Sequence, residues 1–149
     1  MKQRALPIVL AGSVLSLMLG GVTQPVAAAT EIKGAAILAH ACGKIAVKQM
    51  GLLKAGKIDE ANKYSTKEMQ DRWKSMPAKD REMMTKMAMG MSESEAQYSA
   101  SIKAGGVLVV DGDSGKLTVV KKTQDANGSS TSTTTQEFRL NGGECLVSR

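Results

Sequence analysis

The chain has 149 residues and carries 20 Lys and Arg against 14 Asp and Glu, a formal charge of +6. That length holds one domain of ordinary size, with or without a leader. Only 3% of the residues are aromatic, so platforms that stack bases or sugar rings have almost nothing to be built from, and nucleic acid is excluded as a partner.

Residues 1–29 read as a cleavable secretory signal peptide. Lys2 and Arg4 form a basic start, and no ionisable side chain follows until after Thr30. The apolar run Leu6 to Leu19 is broken by Pro7, Gly12, Ser13 and Ser16, and it is short for a membrane span, which needs about 20 apolar residues. Gly20, Gly21 and Pro25 interrupt the chain, and Val26-Ala27-Ala28-Ala29 supplies the small residues that a signal peptidase cuts after, with cleavage near Ala29. An uncleaved N-terminal anchor is the competing reading. A lipid anchor needs a Cys directly after the apolar run, and the first Cys is Cys42. The expectation is a periplasmic or secreted protein with no stable membrane insertion after cleavage. Removing the leader takes Lys2 and Arg4 and lowers the charge to +4.

The mature chain reads as a single α+β domain over residues 30–149, helical from 30 to 91 and an antiparallel sheet from 92 to 149. From Ile32 to Leu53, Leu38, Cys42, Ile45, Ala46, Met50 and Leu53 recur at helical spacing, which predicts one long first helix ending at Ala55-Gly56. A short helical turn is expected over Lys57 to Tyr64. Ser65-Thr66-Lys67-Glu68 has the S-x-x-E form of a capping box and should launch a second helix through Met69, Trp73 and Met76. Pro77 opens a third, whose apolar stripe is Met83 or Met84, Met87 and Met91 with Lys79, Arg81 and Lys86 outside it.

After the Ser92 to Glu95 cluster the period changes. Ala96, Tyr98, Ala100 and Ile102 alternate with polar residues and predict a strand. Val107 to Val110, Leu117 to Thr123, Ser129 to Leu140 and Glu144 to Ser148 follow as further strands, separated by turns at Asp111 to Gly115, Asn127-Gly128 and Asn141-Gly142. The sum is helices packed on a sheet of about five antiparallel strands.

This order resembles the cone-shaped nuclear-transport-factor-two-like superfamily, also called cystatin-like or SnoaL-like. The resemblance lies in the helix ending Gly51-Leu52-Leu53-Lys54-Ala55-Gly56-Lys57-Ile58-Asp59-Glu60-Ala61 and in the closing hairpin Phe138 to Val147. It implies a curved sheet wrapped on the first helix, with a cone that holds a small apolar ligand in some members and a dimer face in others. Tyr98, Ile102, Phe138 and Leu140 are the residues expected near such a pocket. A non-enzymatic binding or assembly domain follows, acting as a homodimer or with an envelope protein. A small isomerase or hydrolase of the same fold is an alternative, for which the sequence offers no polar pair.

Two cysteines in an exported chain leave two readings, a Cys42–Cys145 disulfide or two buried thiols. His40 is the only histidine, and no Asp, Glu or Ser lies one helical turn from it to orient it as a base, so it reads as solvent-facing. The eight methionines that follow the leader include Met83, Met84, Met87, Met89 and Met91 in nine residues. A helix seated on a core would show that stripe, since Met fills irregular gaps. Thioethers are also soft ligands, and a copper site built on Met83, Met87, Met89 and Met91 is the alternative. Asp111-Gly112-Asp113 is a turn rather than a calcium loop, because the twelfth position is Lys122. Trp73, Tyr64, Tyr98 and Phe138 are expected to anchor the core.

Overall fold

The computed structural model describes residues 28–125 and 128–149. The leader expected over residues 1–29 lies almost wholly outside the described residues, as does the turn at Asn127. The described chain runs through β1 (Thr30–Lys33), a 3-10 helix (Gly34–Ala39), α1 (Ala41–Lys54), α2 (Ile58–Asn62), α3 (Lys67–Ser75), α4 (Ala78–Met91) and α5 (Glu95–Gly105). It closes with β2 (Gly106–Asp111), β3 (Ser114–Asp125), β4 (Gly128–Asn141) and β5 (Glu144–Val147). The fold class is α+β.

The five strands form one antiparallel sheet in the order β1-β2-β3-β4-β5. Its inner face follows from period-two alternation: Leu108, Leu117, Val119, Gln136, Phe138, Cys145 and Val147 are all buried. Leu108 sits opposite Leu117, Leu117 opposite Gln136 and Phe138 opposite Val147, so the register stacks one apolar band under the helices. Ile37, Cys42, Ala46, Met50, Tyr98 and Ile102 complete the core from the helical side. The alternate positions Lys116, Thr118, Thr135, Glu137 and Arg139 give the outer face a polar character that water accommodates. The β4–β5 turn is a two-residue Gly142-Gly143 loop with φ of 58° and 88°, a pair of left-handed positions open to glycine at no steric cost.

Three elements differ from the expectations. The segment read as a strand from Ala96 to Ile102 is helix α5, so Tyr98 and Ile102 come from a helix and not from the sheet. Helix formation starts from Ser94, whose side chain accepts from the Gln97 amide while Gln97 reaches back to the Ser94 amide, a complete capping box. The fifth strand is instead β1, which pairs Thr30–Lys33 with Val107–Val110. The long first helix is shorter at its start: Gly34–Ala39 is a 3-10 helix, and α1 begins after His40.

Ser65 does not cap α3. The N-cap is Thr66, without a side-chain hydrogen bond, because the Ser65 hydroxyl is buried and accepts from Gln49. Trp73 is half-buried at the surface, where its indole Nε1 donates to Asp59 Oδ1 at 2.7 Å, so it ties α3 to α2 and stands outside the core cluster.

Candidate functional site

Cys42, in the first turn of α1, and Cys145, on β5, form a disulfide across 103 residues, with Cα atoms 5.0 Å apart. Both side chains are buried in the core. His40, two residues before Cys42, acts locally, since its Nδ1 accepts from the Cys42 amide at 3.2 Å and caps α1. It is half-buried, where the sequence suggested a solvent-facing ring.

The residues expected around a pocket are placed as packing. Tyr98, Ile102 and Phe138 lie in the core cluster, and Leu140 packs against its margin. Tyr98 also starts a buried polar chain. Its hydroxyl donates to Gln136 Oε1 at 3.2 Å, Gln136 Nε2 donates to Gln49 Oε1 at 3.1 Å, and Gln49 Nε2 donates to Ser65 Oγ at 3.1 Å. The chain links α5, β4, α1 and the start of α3, and each amide satisfies the next, which is what makes polar groups tolerable in a core. Burial pushes the Tyr98 phenol up to about 12, with the Glu93 carboxylate adding to the shift, so the ring is neutral and serves as a donor. Two surface hollows of about 550 and 600 Å³ open on the sheet side, one over Val109, Lys116, Glu137 and Arg139 with Phe138 at its wall, the other between α5 and Val120–Thr123. Tyr98 and Ile102 line neither.

The most unusual surface is α4. A surface helix ordinarily turns its apolar stripe inward, and the sequence predicts a methionine stripe packed on the core. The reverse is found. No residue of α4 is buried; Met83, Met87 and Met91 are 56%, 52% and 80% exposed, and Met84 beside them is 44% exposed. The residues turned toward the body are Arg81, Thr85 and Ala88, spaced i, i+4, i+7 and only partly covered. Beneath them, Arg81 Nε is shut from water with no hydrogen-bond partner. Pro77 opens α4 as its N-cap, Lys86 pairs with Glu82 at 2.7 Å along the flank, and Lys54 of α1 donates to the Met89 carbonyl at 3.2 Å near the far end. One polar link, from Lys54 to the Met89 carbonyl, therefore joins the helix to α1 while its apolar side faces solvent.

Met89 points differently from the other four. Its Sδ lies 2.9 Å from where a Cβ on Gly56 would stand, so it leans on the α1–α2 turn and is not part of the outward face. Of the metal-ligand set expected from sequence, Met83, Met87 and Met91 share a face and Met89 does not. Met84, which lies among them, is absent from that set. The signal for Met84 is helical: it stands three residues before Met87 and seven before Met91.

Among the described residues, no group of three or more His, Cys, Asp and Glu side chains comes together as a metal site. No described helix is long and apolar enough to cross a membrane. No protein-family model, curated protein or solved structure matches the chain.

Proposed function

We propose that this is an exported, non-enzymatic assembly module in which α4 is the contact surface and a second copy of the chain is the partner. The outward methionine face of α4 carries the reading. Contiguous apolar patches on a water-exposed surface are costly and mark interaction sites, and methionine suits an interface because its flexible thioether adapts to what it meets. The stripe is also symmetric about Met87, with Met83 and Met91 one turn and more to either side. An antiparallel pair of α4 helices crossing at Met87 therefore sets Met83 of each chain against Met91 of the other, as a two-fold interface requires.

Other features support the rest of the reading. The Cys42–Cys145 disulfide suits an oxidising compartment, in keeping with the leader expected over residues 1–29. A single β-meander with all its helices inserted between β1 and β2 is in keeping with the resemblance to the cystatin-like superfamily. The residues that would line an internal ligand site are engaged in core packing, which favours an outer surface over a pocket.

A 14-residue helix is about 21 Å long, too narrow a strip to cover the roughly 800 Å² per partner of a standard stable interface. The association is accordingly weak. Sedimentation velocity from about ten micromolar to about one millimolar should show a monomer–dimer equilibrium. Met87→Lys, exposed and therefore harmless to the fold, should abolish it with an unchanged circular dichroism spectrum. A wild-type protein that stays monomeric throughout, or a Met87→Lys variant that associates equally, sinks the proposal.

A further inference from the structure

We infer that the same outward face of α4 is a binding site for a soft monovalent cation of the copper(I) class, held by the thioethers of Met83, Met84 and Met87, with Met91 as a neighbour that can exchange into the set. Met87 is the centre of the arrangement. Met83 lies four residues before it, Met84 three before and Met91 four after, and on a helix those are the separations that bring Cβ atoms to about 5–6 Å of one another. Three rotatable bonds on each methionine let sulfurs so spaced converge on one ion without any backbone movement. Neutral thioethers select soft, low-charge cations over calcium and magnesium, which want oxygen, and they lack the negative charge of the thiolates that hold zinc. Asp80 stands one turn ahead of both Met83 and Met84 and is exposed, while Lys79 stands one turn ahead of Met83 and Lys86, paired with Glu82, one turn after it, so the border of the site carries both signs and the selectivity rests on the thioethers.

The site needs one chain only and goes beyond the assembly reading, although the two share residues. Leucine separates them. Replacing methionine by leucine keeps the apolar surface a second copy would use and removes every sulfur a cation would use.

The experiment is a titration of the processed protein, labelled with 13C at its methionine methyls, with silver nitrate in chloride-free buffer, followed by competition for copper(I) against a chromophoric chelator under reducing, anaerobic conditions. The expected result is saturation at one equivalent, with the Met83, Met84 and Met87 methyl signals moving and those of Met50 and Met69 fixed. The M83L/M84L/M87L variant should lose at least about tenfold in copper(I) affinity while sedimenting as the wild type does. Affinity should be flat from about pH 5 to about pH 8, because thioethers release no proton on binding, unlike histidine or cysteine ligands. Methyl signals that do not move, affinity retained in the triple leucine variant, or a steep rise of affinity with pH each overturn the assignment. Loss of self-association in the leucine variant counts against the assembly reading alone, whereas unchanged copper(I) affinity in that variant overturns the cation site whatever its sedimentation.

Discussion

Helices α1 and α4 touch one another and are both 14 residues long, yet α1 buries Cys42, Gly43, Ala46, Gln49, Met50 and Leu52 while α4 buries nothing. Their sequences do not announce the difference, since both carry apolar residues at helical spacing. The distinction lies in what each face meets. The inner side of α1 has a disulfide to β5, two small residues that admit close neighbours, and a glutamine joined into a hydrogen-bonded chain. The inner side of α4 has Arg81, Thr85 and Ala88, which offer a core little apolar surface, and its bulky thioethers are left to the solvent. One helix is structure, and the other is presented by structure.

The largest test of that contrast is the disulfide. It closes a loop of 103 residues, for which the chain-entropy model gives about 4.7 kcal/mol, less whatever strain the native bridge carries. A Cys42→Ala/Cys145→Ala double variant should therefore lose about 3–5 kcal/mol in urea unfolding. Leucine or lysine at the exposed α4 methionines should change stability by less than about 0.5 kcal/mol. A double variant as stable as the wild type would remove α1 from its place as the anchored element.

Much of this architecture is legible in the residues, and the departures have identifiable causes. The four strands from Val107 onward are marked by β-branched alternation and by Gly turns. The cysteine pair is visible, although only the 5.0 Å approach of Cys42 and Cys145 decides between a bridge and two thiols. Helix α5 is hidden because Ala96, Tyr98, Ala100 and Ile102 satisfy a strand's period while Tyr98 and Ile102 equally satisfy a helix's i, i+4 spacing, and the intervening Ser and Ala fit either. Its deciding signal is Ser94-Glu95-Ala96-Gln97, a capping box in the S-x-x-Q form. Strand β1 is four residues long, and its partner lies more than seventy residues away, so no local pattern could reveal it. For α4, periodicity places the stripe correctly, but a period has no sign: it shows that Met83, Met87 and Met91 share a face and not which way that face turns.

The polar chain through α1 offers a second, smaller test. An unfolded tyrosine ionises near pH 10, whereas the folded Tyr98 holds its proton to about 12 because burial disfavours the phenolate. Between those two values the unfolded chain has lost a proton that the native one retains, so the linkage contribution to stability is intact below about pH 10 and falls as pH rises toward 12. The loss is of the order of 2 kcal/mol. Urea unfolding at pH 9 and again near pH 11.5 should show it, and Tyr98→Phe should remove that alkaline component. At neutral pH the same substitution should cost about 1–2 kcal/mol, since it leaves Gln136 Oε1 buried without its donor. An equal alkaline decline in Tyr98→Phe would assign it to other groups.

The smallest effect is expected at Gly90 of α4, and set beside Gly43 of α1 it turns on sign. Gly43 of α1 faces the Ile37 backbone, and a Cβ there would overlap its carbonyl oxygen, so Gly43→Ala must force α1 and the 3-10 helix apart. Gly90 of α4 has nothing within 4 Å of where a Cβ would stand, and its backbone is helical. Alanine there should restrict the unfolded chain and favour the helix without touching anything, which stabilises by about 0.5–1 kcal/mol. Thermal unfolding of the two variants side by side should move the midpoints in opposite directions. If Gly90→Ala also destabilised the protein, then a neighbour must occupy the space beside it in solution. Because that space adjoins Met87 and Met91, the destabilisation should then deepen as protein concentration rises, which is how an intermolecular contact on α4 differs from a strain within one chain.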